Sequence, residues 1–159
     1  MHNSLNIAWN ADEQIEVLTF DMAGETFALE ANLVREILDR IPETPVPGSA
    51  QMISSVVNFR GKVIPIADMH HIFDLKYSGN EKDARIIVIE IDFGEESCLI
   101  GIKADKVYEV TSLVRANVEA APRAGMRWKQ EFIRCLAKRN GDFIVVPHLQ
   151  NVFASGCSD

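Results

Sequence analysis

From Ile15 the chain alternates apolar and polar positions with a period of two, the repeat of a half-buried strand. IEVLTFD sets Ile15, Val17 and Thr19 against Leu18 and Phe20, and TFALE repeats the alternation at Phe27 and Leu29. Gly24 between them supplies the backbone freedom of a tight turn, so the two runs predict a β-hairpin. ANLVREIL reads differently. Leu33, Val34, Ile37 and Leu38 fall on one helical face and Asn32 can cap it, which predicts a short helix stopped by Pro42, Pro45 and Pro47. A brief helical turn is expected around Gln51 to Ser54.

VVNF and KVIPIAD predict two strands joined across Arg60 and Gly61, with Pro65 placed at an edge or a bulge because it lacks an N–H. ADMHHIF suits a turn or two of helix, and KYSGNEKDA a surface loop. ARIIVIEIDF is the strongest strand pattern, turned back by FGEES into CLIGIK and followed by a short VYEV strand. VRANVEAAPRAGMRWKQ has weak periodicity and predicts a long exposed connection. EFIRCLA and FIVVP flank Asn140-Gly141, a strong hairpin signal, and HLQNVF closes with a short helix. Nine or ten short strands with little helix predict an all-β fold, a barrel or a sandwich. No repeat is visible as sequence identity.

Composition narrows the function classes. The 159 residues suit one domain or two small units sharing a core. A net charge of −7 opposes a nucleic-acid or anionic-membrane surface, since phosphate binding needs a positive field. The hydrophobic fraction of 47% excludes a disordered chain, and no apolar run approaches the roughly 20 residues of a membrane-spanning helix. The opening MHNSLNIAWNADEQIE has no basic region before an apolar core, so a secretion signal is not expected; lacking periodicity, residues 1–13 are expected as a flexible arm, from which Trp9 could dock. Cys98, Cys135 and Cys157 are odd in number and widely spaced, which argues for a reducing cytoplasm rather than a disulfide framework.

Residues arranged for reactive chemistry are few. His70 and His71 are adjacent, so on a helix they diverge by about 100° and cannot face one metal ion; they read as a solvated pair, with His148 far away. No G-x-S-x-G elbow, G-x-G-x-x-G run or P-loop appears, and Glu95-Glu96 suits a solvated turn. Cys98 and Cys135 lie in apolar strand patterns and read as buried small hydrophobes. No catalytic residue, metal or cofactor is expected, and the chain is read as a non-enzyme.

One segment is more specific. VVNFRGKVIPIADMHHIF resembles the signature of CheW-type chemotaxis coupling proteins through Asn58, Arg60, Gly61, Val63, Ile64, Pro65, Ile66 and Asp68. Phe59 stands for the usual leucine, Ser55 for a glycine, and His70 for a common arginine. Val34, Arg35, Glu36 and Ile37 resemble the family's V-x-E-I, and LIGIKADKVYEV its third segment through Gly101, Asp105, Val107, Glu109 and Val110. Cys135 and Ala137 replace two expected glycines, and Pro147-His148 an acidic or polar pair, so the chain resembles a divergent member. The likeness runs from about Ile15 to Phe153.

The resemblance implies two small interleaved five-stranded barrels over residues 14–154, with 155–159 as a tail, and no enzymatic activity. It implies a cytoplasmic adaptor, recruited to membrane-associated arrays, that couples the tips of chemoreceptors to a CheA-type histidine kinase. It also implies a receptor groove at Val34, Glu36, Ile37, Arg60, Gly61, Gly101, Val107 and Val110, while no motif assigns the kinase-facing residues. Read from the residues alone, Arg60 is either a groove contact or a brace pairing Glu36 or Asp68. The valines are as readily core as interface, and Gly101 is a groove residue or the relief of a crowded strand crossing. Two other readings stay open: a scaffold of a specialised pathway (pili, biofilm or polar localisation), and a small-ligand-binding barrel.

Overall fold

The computed structural model describes residues 7–39, 42–46, 53–75, 81–93, 95–120 and 130–157. The first half of the chain runs β1 (Gln14–Met22), β2 (Glu25–Glu30), β3 (Val34–Leu38), β4 (Thr44–Pro45), β5 (Ile53–Phe59), β6 (Lys62–Ala67) and helix α1 (Met69–Ile72). The second runs β7 (Arg85–Phe93), β8 (Glu96–Ala104), β9 (Lys106–Val114), β10 (Val118–Glu119), β11 (Ile133–Arg139), β12 (Asp142–Pro147) and helix α2 (Leu149–Cys157). Short 3-10 turns precede β3, β7, β10 and β11.

The strands form two six-stranded sheets, ordered β10-β11-β12-β2-β1-β9 and β3-β7-β8-β6-β5-β4. Moving every strand of the first sheet six places along the chain, cyclically, reproduces the second read backwards. In each sheet one pairing is parallel, β12 with β2 and β6 with β8, and the rest are antiparallel. The fold is thus an internal repeat, hidden at the level of identity. Its halves exchange strands: β3 pairs with β7 of the second half, and β9 with β1 of the first.

Burial explains the exchange. Val17, Ala28, Leu113, Cys135, Ala137, Ile144 and Val146 fill the first sheet's concavity, and Val57, Phe59, Ile64, Ile66, Ile86 and Val88 the second's. A third, larger cluster lies between the sheets and draws on both, from Leu18, Phe20 and Phe27 to Ile87, Ile89 and Ile102. Phe20, Phe27, Phe73 and Phe132 run through it in ring contacts of 5.4–6.3 Å. Each fully buried side chain of this size contributes about 1.5–3 kcal/mol, so neither sheet is complete without the other half.

Several expectations are corrected. The all-β reading holds, with two interleaved units and short helices; each unit is a curled sheet of five strands with a two-residue edge strand rather than a closed barrel. The helix expected over ANLVREIL is a 3-10 turn at Ala31–Leu33 followed by β3, in which Val34, Glu36 and Leu38 are half-buried while Arg35 and Ile37 are exposed. Pairing with β7 outweighs helical spacing there, because the helix would leave the Ile86–Ile89 edge of that apolar strand open. Asn32 caps nothing, since the turn has no side-chain cap. Ile53 and Ser54 belong to β5; Gln51 and Met52 lie outside the described residues.

Pro65 sits in an interior strand rather than at an edge, and the β6–β8 ladder begins only after it, at Ile66. The stretch expected as a loose arm has Ile7 buried in the first sheet's core with Trp9 packed against it. Val114 ends β9, and a 3-10 turn and β10 follow before residues 121–129, which lie outside the described part.

Candidate functional site

The β5–β6 hairpin builds the centre of the site. Arg60 and Gly61 both have positive φ, 52° and 82°, as a two-residue turn matched to strand twist requires. Asn58 Oδ1 accepts the Gly61 N–H at 3.1 Å, so the asparagine of the signature fixes the turn that displays the arginine. The Arg60 guanidinium lies 5.3 Å from the Phe59 ring centroid, a cation–π distance. A non-glycine residue in the left-handed region costs on the order of 1 kcal/mol. The sister turn between β11 and β12 has Asn140 at that place, φ 53°, a residue that tolerates it better.

Arg60 Nη2 reaches Glu36 Oε1 on β3 at 2.5 Å, with side chains 75% and 35% exposed. β3 ends the second sheet on one side and β5 stands next to the other end, so the pair spans the open edge of the curl. Leu38 of β3 packs beneath with Val57 and Phe59 of β5. Glu36, rather than Asp68, is the partner of Arg60, and the pair sits at the surface.

Around it, Ile37 and Val63 are exposed, as is Gly61. Val34 is half-buried against the shared core. Val107 meets the same core from β9, while Val110, paired with Leu18, is 52% exposed. β9 is the outer strand of the first sheet as β3 is of the second. The two V-x-E-[IV] segments, 34–37 and 107–110, thus occupy corresponding outer strands. That recurrence was the readable trace of the repeat.

Gly101 lies elsewhere, buried in β8. A Cβ there would stand 2.5 Å from Ile66 Cδ1 and 2.9 Å from Ile86 Cγ2, so the residue permits the close parallel approach of β6 and β8. The charges nearby are mostly paired: Arg35 with Glu90 at 2.8 Å, which holds the Glu90 carboxyl below its usual range, and Tyr108 with Asp21 at 2.5 Å, where the accepting carboxylate pushes the phenol up.

The two histidines are not a solvated pair. His71 is exposed, but His70 is 1% exposed, its Nε2 3.0 Å from Asp105 Oδ1. Its partner is distant in sequence, which is why spacing concealed it. Cys135 is buried as expected, and burial lifts its thiol to about 11; Cys98 is half-buried. Among the described residues no group of three His, Cys, Asp or Glu side chains is placed to hold a metal ion. The arrangement presents apolar side chains and surface charged pairs on a sheet frame, the chemistry of a contact surface.

Comparison with known proteins fits this geometry. Residues 16–157 match the family model of the CheW-like domain. Chemotaxis protein CheW of Treponema pallidum (strain Nichols) is 23% identical over 158 residues, 97% of this chain and 90% of that protein. Protein PilI of Pseudomonas aeruginosa is 31% identical over 71 residues, 45% of this chain and 40% of that protein. The crystal structure of scaffolding protein TtCheW from Thermoanaerobacter tengcongensis superposes with a TM-score of 0.77 and 27% identity, covering 87% of this chain and 92% of that one.

Proposed function

The chain belongs to the CheW-like family, and on that premise we propose that it is a non-enzymatic cytoplasmic adaptor coupling membrane chemoreceptors to a CheA-type histidine kinase. The observation that carries the reading is the Arg60–Glu36 pair, held at the surface on a turn residue with unfavourable φ. Asparagine, as in the sister turn, would suit a hairpin that only had to fold, so arginine at this place points to contact with a partner. A guanidinium offers a fork of donors to carboxylate or carbonyl groups at a receptor tip, and Val34, Ile37, Val107 and Val110 supply apolar contact beside it. Gly61 shapes the turn, and Gly101 supports the strand beneath.

The reading is tested by reconstitution. The chain and its kinase should elute together by size exclusion, and receptor-containing membranes should change kinase output only when the chain is added. Full receptor control without it removes the coupling role.

A second reading keeps the adaptor chemistry but places it in a specialised circuit. The identity shared with Protein PilI, a relative not named as a chemotaxis protein, favours keeping it. Capture of native partners from the source cell, followed by mass spectrometry, separates the two by which receptor and kinase are retained.

A further inference from the structure

His70 is used by none of the chemistry above, yet it is among the most buried polar side chains described. It stands on α1, directly after β6 of the second sheet, and its Nε2–H donates to Asp105 Oδ1 at 3.0 Å. Asp105 is the bend between β8 and β9, the point at which the chain leaves the second sheet for the first. Its other oxygen, Oδ2, accepts the Ala23 N–H in the β1–β2 turn at 2.7 Å, and its own N–H donates to the Asp21 carbonyl at 2.9 Å. Asp68, on the far side of the imidazole, has Oδ1 3.8 Å from Nδ1. One carboxylate therefore ties α1 of the second unit to a hairpin turn of the first, at the root of β9.

The corresponding place in the other half makes the same kind of tie. From the turn glycines Gly61 and Gly141, the two halves run in step through Asp68 and His148 to Phe73 and Phe153, which sets Gln150 against His70. Gln150 Nε2 donates to the carbonyl of Asp92 in β7 at 3.1 Å, so α2 of the first sheet also reaches across to the second. A single cross-link could be incidental packing. At the equivalent position of both halves the helix thus reaches toward the opposite sheet, from a buried imidazole in one and an exposed amide in the other.

We propose that His70 is the positioning residue of β9: through Asp105 it fixes where the outer strand bearing Val107 and Val110 begins. The inference rests on the proposed groove for its functional meaning, but not for its geometry. Among the described residues β9 pairs on one side only, with β1, and it carries a register shift opposite Leu18 and Phe20. A strand held by one neighbour depends on its ends for its place. His70 supplies that end from inside the protein, coupling the signature helix of one unit to the contact strand of the other.

The test compares His70→Leu, which removes the donor, with His70→Gln, whose amide N–H can reach the same carboxylate oxygen. Backbone hydrogen exchange should quicken about tenfold or more at residues 105–110 in the leucine variant, and return to within about twofold of the parent in the glutamine variant. The β5–β6 and β11–β12 hairpins should keep their protection in both. Gln150→Leu, which cuts the sister tie, should leave β9 exchange unchanged. Uniform acceleration across the chain, or rescue failing in His70→Gln, overturns the proposal. If the leucine variant does not fold, Asp105→Ala applies the same local test, because it removes the carboxylate on which the His70 bond ends and leaves the imidazole in place; unchanged exchange at residues 106–110 would again overturn the proposal. Capture by receptor-containing membranes is read in parallel. A loosened β9 with capture intact supports the positioning role and defeats the groove, whereas unchanged β9 exchange defeats the positioning role and leaves the groove to be judged on Arg60.

Discussion

Asp68 and His148 do the same work in the two halves of the chain. Each is the last residue before a helix, and each accepts the N–H of the residue three further on, Asp68 Oδ1 from His71 and His148 Nδ1 from Asn151, both at 3.2 Å. A carboxylate and an imidazole cap alike only while the imidazole is neutral, because its acceptor nitrogen is the one protonation would occupy.

A pH dependence follows. Burial, and then the Arg134 guanidinium, lower the His148 pKa from its ordinary value. The unfolded chain therefore takes up this proton first as pH falls. Stability supplied by neutral His148 is full above about 6.5, the value for a free imidazole, and declines as pH drops below it. His148→Asn keeps a capping acceptor and has no proton to bind. Denaturant midpoints measured from pH 7.5 down to 5 should fall less steeply in that variant than in the parent; parallel slopes would remove His148 from the account.

Crowding at Gly101 gives a second prediction. An alanine methyl would meet Ile66 and Ile86, both buried, at 2.5 and 2.9 Å. Gly101→Ala should destabilise by roughly 1–3 kcal/mol through overpacking. Adding Ile66→Val removes the nearer methyl, so the double variant should recover part of the loss even though Ile66→Val alone costs about 1 kcal/mol. Strictly additive losses in urea melts would show that the clash is not with Ile66.

Thiol chemistry gives a third. Cys135 is wholly buried with its pKa raised to about 11, so almost no thiolate forms near neutral pH. Under native conditions iodoacetamide should leave the Cys135 peptide unmodified, and labelling should appear only with unfolding. Rapid native labelling, read by peptide mass spectrometry, would mean that the first sheet opens locally.

What could be read before the structure divides by the range of the interactions. The hairpins were legible because their turns are local: Gly24, Gly61 and Asn140-Gly141 mark them directly, and all three glycines have φ above 80°. β3 was misread because Leu33, Val34, Ile37 and Leu38 share a helical face, whereas on the strand only Val34 and Leu38 turn the same way. The choice is made by β7, which lies far along the chain. His70 failed for the same reason, since Asp105 stands 35 residues away. Of the groove residues, Arg60 was legible as a groove contact or as a brace to Glu36 or Asp68, and charge alone did not choose between them. What placed the pair at an open sheet edge was the strand exchange, and no local pattern encodes that.

The last prediction separates a contact surface from a brace at Arg60. An exposed ion pair contributes little to stability, about 0–1 kcal/mol, because water screens it and long side chains lose freedom in forming it. Against that stands the cost of holding arginine at φ 52°, which asparagine in the sister turn avoids. Arg60→Asn should therefore leave the urea midpoint unchanged or raise it slightly, since the turn improves as the pair is lost. Glu36→Gln, which keeps shape and removes the charge, should shift the midpoint by less than about 1 kcal/mol. If the guanidinium reads a receptor, Arg60→Asn should weaken receptor capture by about tenfold or more, in keeping with roughly 2 kcal/mol for a desolvated interface charge. Kinase capture on the same samples should hold. A brace predicts the opposite order: the midpoint falls first, and receptor and kinase are lost together as the curl of the second sheet opens.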